Sequence, residues 1–264
     1  MGRLDVSTLQ KKKFQRSKIS MLTAYDYHSA VICDTNGVDA VLVGDSLGRM
    51  IQGHDDNLSV TITEMMYHTR IVSKGVHQAF VVADMPFSTY DDPKEAIKNS
   101  ELLVEKGGAN AVLLEGRSVT TSVRAVVERG IPVMGMVGMA VDSIERLGSF
   151  SEHSQKIKPE YLDVVKSALE LQEAGCFAII LRTIPANLSR LITKTLKIPT
   201  IGIGAGRHVD GQLLLFHDMM GIIDDFNPRH VKRYAHVSQV MIQGVKSYLS
   251  DVEKQLYPCE DYEY

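Results

Sequence analysis

The sequence has few cysteines and little net charge. Its three cysteines, Cys33, Cys176 and Cys259, are odd in number and far apart, so they offer no metal-ligand spacing and suit a reducing compartment. The 29 basic and 32 acidic residues leave a net charge of -3. Such a balance gives no field that would attract nucleic acid or an anionic membrane, and it favours a small-molecule partner.

Long apolar runs are also missing. No stretch approaches the roughly 18 apolar residues of a membrane span, and no apolar segment of the signal-peptide kind follows the basic run at 11–13. These two absences predict a soluble, cytoplasmic protein. No linker rich in proline, glycine or serine divides the 264 residues, of which 44% are hydrophobic, so we expect a single α/β domain over residues 1–264.

Short apolar runs alternate with helical patterns along the chain. About eight such units in about 250 residues predict a (β/α)8 barrel, and continuous apolar strands are typical of a parallel sheet covered on both faces. A doubly wound open sheet is the weaker alternative. Its dinucleotide-binding loop would follow the first strand, whereas the glycine-rich segment 202–206 lacks the spacing of such a loop and lies near the end of the chain. The predicted strands are 19–23, 40–43, 80–83, 111–114, 131–135, 176–181, 198–204 and 213–216.

The predicted connections include one long loop and one long helix. Residues 136–158 form a loop long enough to be a candidate lid, and residues 228–256 read as an amphipathic helix. Helix-start signals occur at Thr61, where threonines precede an acidic first turn, and at Asp92, which precedes Pro93.

Acidic residues follow three neighbouring strands. Asp45, Asp84 and Glu115 each come at the carboxyl end of an apolar run, where barrels of this type carry their chemistry, and Arg182 falls at another such end. One acid alone is equally consistent with a helix N-cap. Three together predict a site for a hard cation, and Mg²⁺ is the species that carboxylates and water favour.

A magnesium site at a barrel mouth suggests a 2-oxo acid substrate. The metal would chelate the carboxylate and keto oxygens and stabilise an enolate. Ser46 could donate to the substrate carboxylate or merely satisfy its loop. The segment 202–206 could cradle an anion through backbone N–H groups or form only a tight turn.

A set of motifs covering about residues 4 to 260 resembles the ketopantoate hydroxymethyltransferase family. The resemblance implies a phosphoenolpyruvate/pyruvate-superfamily barrel, usually a decamer, that transfers a one-carbon unit from methylenetetrahydrofolate to 3-methyl-2-oxobutanoate in pantothenate biosynthesis. It implies Asp45, Asp84 and Glu115 around Mg²⁺, with Ser46 at the oxo acid. The motifs are 23–27 (TAYDY), 43–48 (VGDSLG), 52–54 (QGH), 67–69 (YHT), 83–87 (ADMPF), 115–116 (EG), 201–206 (IGIGAG), 210–212 (DGQ) and 217–218 (HD).

Three substrate-facing positions depart from that family. Leu113 stands where the family has lysine, Met136 where it has histidine, and Arg182 where it has the glutamate that acts as general base. A guanidinium cannot accept a proton at neutral pH. Arg182 could bind a carboxylate of the ligand, or it could pair with Glu115 or another acid of the site. We expect a drier pocket with one cation relocated.

These departures leave three functions in competition. The first is hydroxymethyl transfer with a substitute base, such as a metal-bound water, His54 or Tyr25. The second is a magnesium-dependent 2-oxo acid lyase or decarboxylase, in which loss of CO₂ forms the enolate without proton removal and Arg182 holds a second carboxylate. The third is a non-catalytic homologue that binds a ligand or supports an assembly.

Overall fold

A computed structural model describes residues 2–116, 118–139, 159–223 and 228–263. Eight parallel strands form a closed barrel in chain order, and β1 pairs with β8 to complete it. The predicted barrel is confirmed, and the open sheet is excluded. The strands are β1 Ile19–Thr23, β2 Ala40–Val43, β3 Phe80–Asp84, β4 Ala111–Glu115, β5 Val133–Gly138, β6 Ala178–Arg182, β7 Thr200–Ile203 and β8 Gly211–Leu214.

Helices occupy the connections between most strands. A π-helical turn, Leu102–Lys106, directly follows the helix Pro93–Glu101, and a 3-10 turn lies at Glu260–Tyr262. The α-helices in the described ranges are α1 Val6–Phe14, α2 Tyr27–Thr35, α3 Leu47–Met50, α4 Ile62–Gly75, α5 Pro93–Glu101, α6 Thr120–Glu128, α7 Pro159–Glu173, α8 Ala186–Thr195, α9 Phe216–Met219 and α10 Val237–Glu253. None of them is long and apolar enough to cross a membrane.

Capping explains where several helices begin. Thr61 and Glu64 form a reciprocal capping box at the start of α4, and Asp92 caps α5 with Pro93 in its first turn, as predicted. The side chain of Asp26 accepts the backbone N–H of Ser29 and caps α2, which therefore begins at Tyr27.

Two predicted boundaries near the carboxyl end also differ. The eighth strand is Gly211–Leu214 instead of 213–216, and α9 begins at Phe216. The long helix begins at Val237 and not at Pro228, where the predicted amphipathic segment starts. The backbone N–H groups of Tyr234 and Val237 donate instead to the carbonyls of Met219, the last residue of α9, and of Met220, which follows it.

The barrel interior is filled by alternate residues of each strand. Buried side chains on β3, β4 and β6 include Phe80 and Val82, Ala111 and Leu113, and Ala178 and Ile180. Because side chains alternate between the two faces of a strand, the next interior positions are Asp84, Glu115 and Arg182, at the carboxyl end of each strand. The alternation therefore places three charged groups at the same mouth of the barrel.

The chain forms two compact units. Met1–Leu214 contains all eight strands of the barrel, and Leu215–Tyr264 contains α9 and α10. That one barrel domain spans residues 1–264 stays a prediction. The predicted lid, 136–158, begins inside β5, and its residues 140–158 lie outside the described ranges. The segment 202–206 ends β7 and turns through Gly204 and Gly206, whose φ values are 64° and 75°, as the tight-turn alternative predicts.

Candidate active site

Asp45 and Asp84 are brought together by the ends of β2 and β3. The backbone N–H of Asp45 donates to Oδ2 of Asp84 at 3.2 Å. Asn57, in the loop after α3, donates through Nδ2 to Oδ1 of Asp45, also at 3.2 Å. Asp84 is only 5% exposed. Asp84 is therefore the buried carboxylate of the predicted acidic site, and Asp45 beside it is half-buried.

Glu115 and Arg182 form an ion pair across the barrel mouth. A guanidinium nitrogen of Arg182, at the end of β6, donates to Oε1 of Glu115, at the end of β4. The strand between them, β5, places Gly138 opposite Arg182 in register. Of the alternatives left by the sequence, the pairing of Arg182 with Glu115 is the one observed. Glu115 belongs to the same group as Asp45 and Asp84, because its charge acts on both of them.

Burial and mutual repulsion shift the acidities of these carboxyls. Burial, followed by the charge of Glu115, raises the pKa of Asp45 to about 6. Burial and then the charge of Asp45 raise the pKa of Asp84 well above its usual value. Burial also raises the pKa of Glu115, although Arg182 acts in the opposite direction. Three acids thus share the guanidinium of Arg182. Its single positive charge does not offset the cost of ionising all three carboxyl groups.

The hydroxyl of Ser46 belongs to a small hydrogen-bonded group beside Asp45. It lies 2.7 Å from the hydroxyl of Tyr25, which is fully buried. The ring Nδ1 of His68 lies 2.7 Å from the carbonyl oxygen of Tyr25, to which it can donate. His54 is exposed in the loop after α3, and its charge acts on Glu64 at the start of α4. Of the two side chains proposed as substitute bases, Tyr25 is therefore the one hydrogen-bonded to Ser46.

Leu113 and Met136 make the site apolar on one side. Leu113 is fully buried in the barrel core and stands opposite Asp84 in register, while Met136 stands opposite Glu115. A cavity of about 70 Å³ beside Glu115 is lined by Met136, Val137 and, from α7, Val164 and Ser167. Direct substrate contact by Leu113 or Met136 stays a prediction.

The oxygen donors of this site suit a hard cation, although their present arrangement does not form a complete metal site. Asp45 and Asp84 offer carboxylate oxygens whose raised pKa values a nearby cation would lower. The amide oxygen of Asn57 is buried beside Asp45 without a hydrogen-bond partner. Within the described ranges, however, no three acidic, histidine or cysteine side chains already have a metal-holding arrangement. Asp45 and Asp84 therefore fit Mg²⁺, while Oε1 of Glu115 is engaged by Arg182.

Sequence reasoning missed Asn57. Its donation to Asp45 depends on how the segment 51–60 folds back over the end of β2, and neither periodicity nor a strand end marks it. A polar residue in a loop that closely follows a site acid was the available signal.

Solved structures support the class of fold. The chain is similar to 2,3-dimethylmalate lyase, described as a member of the PEP mutase/isocitrate lyase superfamily, with a TM-score of 0.63 and 16% identity over 98% of this chain and 91% of that one. At that identity the likeness shows the fold alone. The protein is thus a closed (β/α)8 barrel of the type found in that superfamily.

Sequence relatives define the family more narrowly. A profile of ketopantoate hydroxymethyltransferase matches residues 3–260. The enzyme named 3-methyl-2-oxobutanoate hydroxymethyltransferase from Syntrophotalea carbinolica is 45% identical over 99% of this chain and 98% of its own, and that from Thermoanaerobacter sp. is 42% identical over 98% and 96%. The chain belongs to the ketopantoate hydroxymethyltransferase family of enzymes. The predicted family is confirmed.

Proposed function

We propose that this protein is a magnesium-dependent 3-methyl-2-oxobutanoate hydroxymethyltransferase of pantothenate biosynthesis, with methylenetetrahydrofolate as its one-carbon donor. The observation that carries the proposal is 45% identity, over nearly the whole chain, to an enzyme of that name. The acidic barrel mouth supports it, because Asp45, Asp84 and Glu115 lie at the ends of three successive strands.

The proposed chemistry assigns separate tasks to the carboxylates and the hydroxyls. Mg²⁺, when bound, would polarise the 2-oxo acid as a Lewis acid and make the carbon next to its carbonyl acidic. Asp45 and Asp84 would hold the metal. Ser46, whose hydroxyl Tyr25 positions, would donate to the carboxylate of the oxo acid. Leu113 and Met136 would exclude water from this side.

Arg182 does not remove the substrate proton in this proposal. A guanidinium has no site that accepts a proton at neutral pH, and that of Arg182 is engaged by Glu115. A phenol hydroxyl donates and accepts hydrogen bonds, and in this protein the hydroxyl of Tyr25 is engaged with that of Ser46. Proton removal from C3 therefore falls to another group, and hydrogen exchange at C3 is the step to test.

The experiment is proton NMR of 3-methyl-2-oxobutanoate in D₂O with the protein and Mg²⁺, without folate. We expect the C3 proton signal to disappear with Mg²⁺ and to persist with EDTA or with Asp84→Asn. A parallel tube contains oxaloacetate. Loss of oxaloacetate without exchange at C3 would contradict the proposal and indicate the lyase or decarboxylase alternative. Silence in both tubes would also contradict it and would favour a non-catalytic homologue.

Neither alternative gains support from the relatives. Those described above are hydroxymethyltransferases by name, and the lyase among the solved structures is too dissimilar in sequence to indicate an activity.

We also infer a homo-oligomer in the cytoplasm, with a decamer as the state that the family resemblance implies. The support is the surface of α10, which has no buried residue and exposes an apolar set that a second copy could cover. Free, buried Cys33 and Cys176 suit a reducing compartment. Light scattering after gel filtration measures the mass, and a monomer at micromolar concentration would contradict the inference. The set is Val240, Met241, Ile242, Val245, Tyr248, Leu249 and Val252.

A further inference from the structure

Glu115 has two possible partners, Arg182 and a divalent cation, and the positive charge of one opposes the binding of the other. Its carboxylate lies at the barrel mouth with Asp45 and Asp84, where a third acid would complete a divalent cation site. In the structure the same carboxylate is bound by Arg182. Charge-assisted hydrogen bonds to a guanidinium are among the stronger ones in proteins. The pair is therefore an obstacle that a metal would have to displace.

The path from Arg182 to Glu115 is kept open by a glycine. The two residues lie on β6 and β4, so the side chain of Arg182 must reach across β5. Gly138 of β5 stands opposite Arg182, and a Cβ there would come 2.6 Å from its carbonyl oxygen and 3.0 Å from its Cβ. The close approach of β5 and β6 thus depends on Gly138, and it supports the position from which Arg182 pairs.

We propose that Arg182 is a built-in counter-cation that competes with Mg²⁺ for Glu115. Metal loading transfers Glu115 from the guanidinium to the metal, so Arg182 weakens metal binding and makes it depend on breaking one ion pair. This inference rests on the proposed function for the identity of the metal, and it assigns Arg182 as a positioning residue.

Direct magnesium binding tests the competition. Isothermal titration at one fixed pH compares the wild type, Arg182→Gln, Glu115→Gln and the double variant. We expect Arg182→Gln to bind Mg²⁺ about tenfold more tightly, since a paired carboxylate becomes free and a nearby positive charge is lost. Glu115→Gln alone should change affinity by less than about threefold, because that carboxylate is already engaged. In the Arg182→Gln background the same change should cost about tenfold.

The matched control is Arg129→Gln, which breaks an ion pair with Glu101 at the surface, away from the strand ends that form the site. It should leave magnesium affinity unchanged. Thermal melts check that each variant folds, which we expect because the Arg182 side chain is 45% exposed. Arg182→Lys is the second variant: it keeps the charge but replaces the planar guanidinium by a shorter ammonium side chain, so we expect an affinity between those of the wild type and Arg182→Gln.

Three results would overturn the proposal. An equal gain from Arg182→Gln with or without Glu115 would show only a long-range field, unchanged or weaker binding would show no competition, and no magnesium binding by any variant would remove the metal. The readout does not use turnover. Failure of C3 exchange together with a coupled binding cycle would overturn the proposed function alone, and exchange with an uncoupled cycle would overturn this inference alone.

Discussion

The hydroxyl of Tyr25 lies 2.7 Å from the hydroxyl of Ser46, next to Asp45 at the end of β2. Tyr25 itself is buried, so its ring is fixed and can hold the serine in one orientation. If Ser46 donates to the carboxylate of the oxo acid, its orientation affects binding more than the chemical step.

Replacing Tyr25 by phenylalanine should therefore raise KM more than it lowers kcat. We expect KM for 3-methyl-2-oxobutanoate to rise about tenfold, the equivalent of one hydrogen bond, with kcat lowered by less than about threefold. Steady-state kinetics measure both constants. Tyr234→Phe, at an exposed position before α10, is the control and should change neither. A loss confined to kcat would instead give Tyr25 a part in proton transfer.

The metal-free site should destabilise the protein as pH rises. Because burial and Asp45 raise the pKa of Asp84, the folded state binds a proton more tightly than the unfolded state does. Stability then falls between the ordinary pKa of a carboxyl and the raised one. Asp84→Asn removes the charge, so at pH 8 it should melt about 3 °C higher than the wild type, which is about 1 kcal/mol for a protein of this size. Near pH 4 the gain should vanish.

Differential scanning fluorimetry in EDTA measures this difference at each pH. Asp91→Asn, an exposed carboxyl, is the control and should give no pH-dependent gain. Added Mg²⁺ should stabilise the wild type but not Asp84→Asn. A variant that melts lower than the wild type at pH 8 in EDTA would show that Asp84 is not held at an energetic cost.

The strands and their acidic ends could be predicted because both depend on local pattern. In the apolar runs that end in Asp84 and Glu115, alternate side chains face the barrel interior. The position of each acid in its run therefore tells which way its side chain faces. For Arg182, the sequence left two kinds of partner open: a carboxylate of the ligand, and Glu115 or another acid of the site. Predicting the pair with Glu115 requires the relative positions of β4 and β6, which lie far apart in sequence and are connected in the sheet through β5.

Boundaries set by tertiary contacts were the least predictable. The segment 228–236 has an amphipathic pattern, yet the N–H groups of Tyr234 and Val237 donate to the carbonyls of Met219 and Met220, and the helix begins only at Val237. The donation from Asn57 to Asp45 likewise comes from the folding of one loop over a strand end. Neither contact has a sequence period that would reveal it.

Asp34 ties α2 to the segment that leads into β3 and should be important for stability. Its carboxylate accepts the backbone N–H groups of His77, Gln78 and Ala79 at 2.9, 2.8 and 2.7 Å. Burial acts to raise the pKa of Asp34, but these donors hold it below its usual value. Asp34→Asn loses charge and one acceptor, so we expect a loss of about 2–3 kcal/mol in urea unfolding at pH 7.

The pH dependence of that loss has a definite sign. A lowered carboxyl pKa contributes stability above the ordinary carboxyl pKa, and the contribution disappears as pH falls through the lowered value. The gap between the wild type and Asp34→Asn should therefore narrow in acid. Asp91→Asn again provides the control, with a change below about 0.5 kcal/mol at both pH values. A gap that stays constant would mean that geometry, not charge, makes Asp34 necessary.

We expect a side chain at position 138 to be destabilising, because the lack of a Cβ at Gly138 lets β5 and β6 approach each other at Arg182. A Cβ at this position would lie 2.6 Å from the carbonyl oxygen of Arg182, a backbone atom that cannot rotate away. We expect Gly138→Ala to cost about 1–3 kcal/mol in urea unfolding and to move Arg182 from Glu115. Gly244→Ala is the control, since a Cβ there meets nothing within 4 Å in α10 and should stabilise that helix slightly. Equal effects of the two substitutions would show that the strands can separate without loss, and the position of Arg182 would then not depend on Gly138.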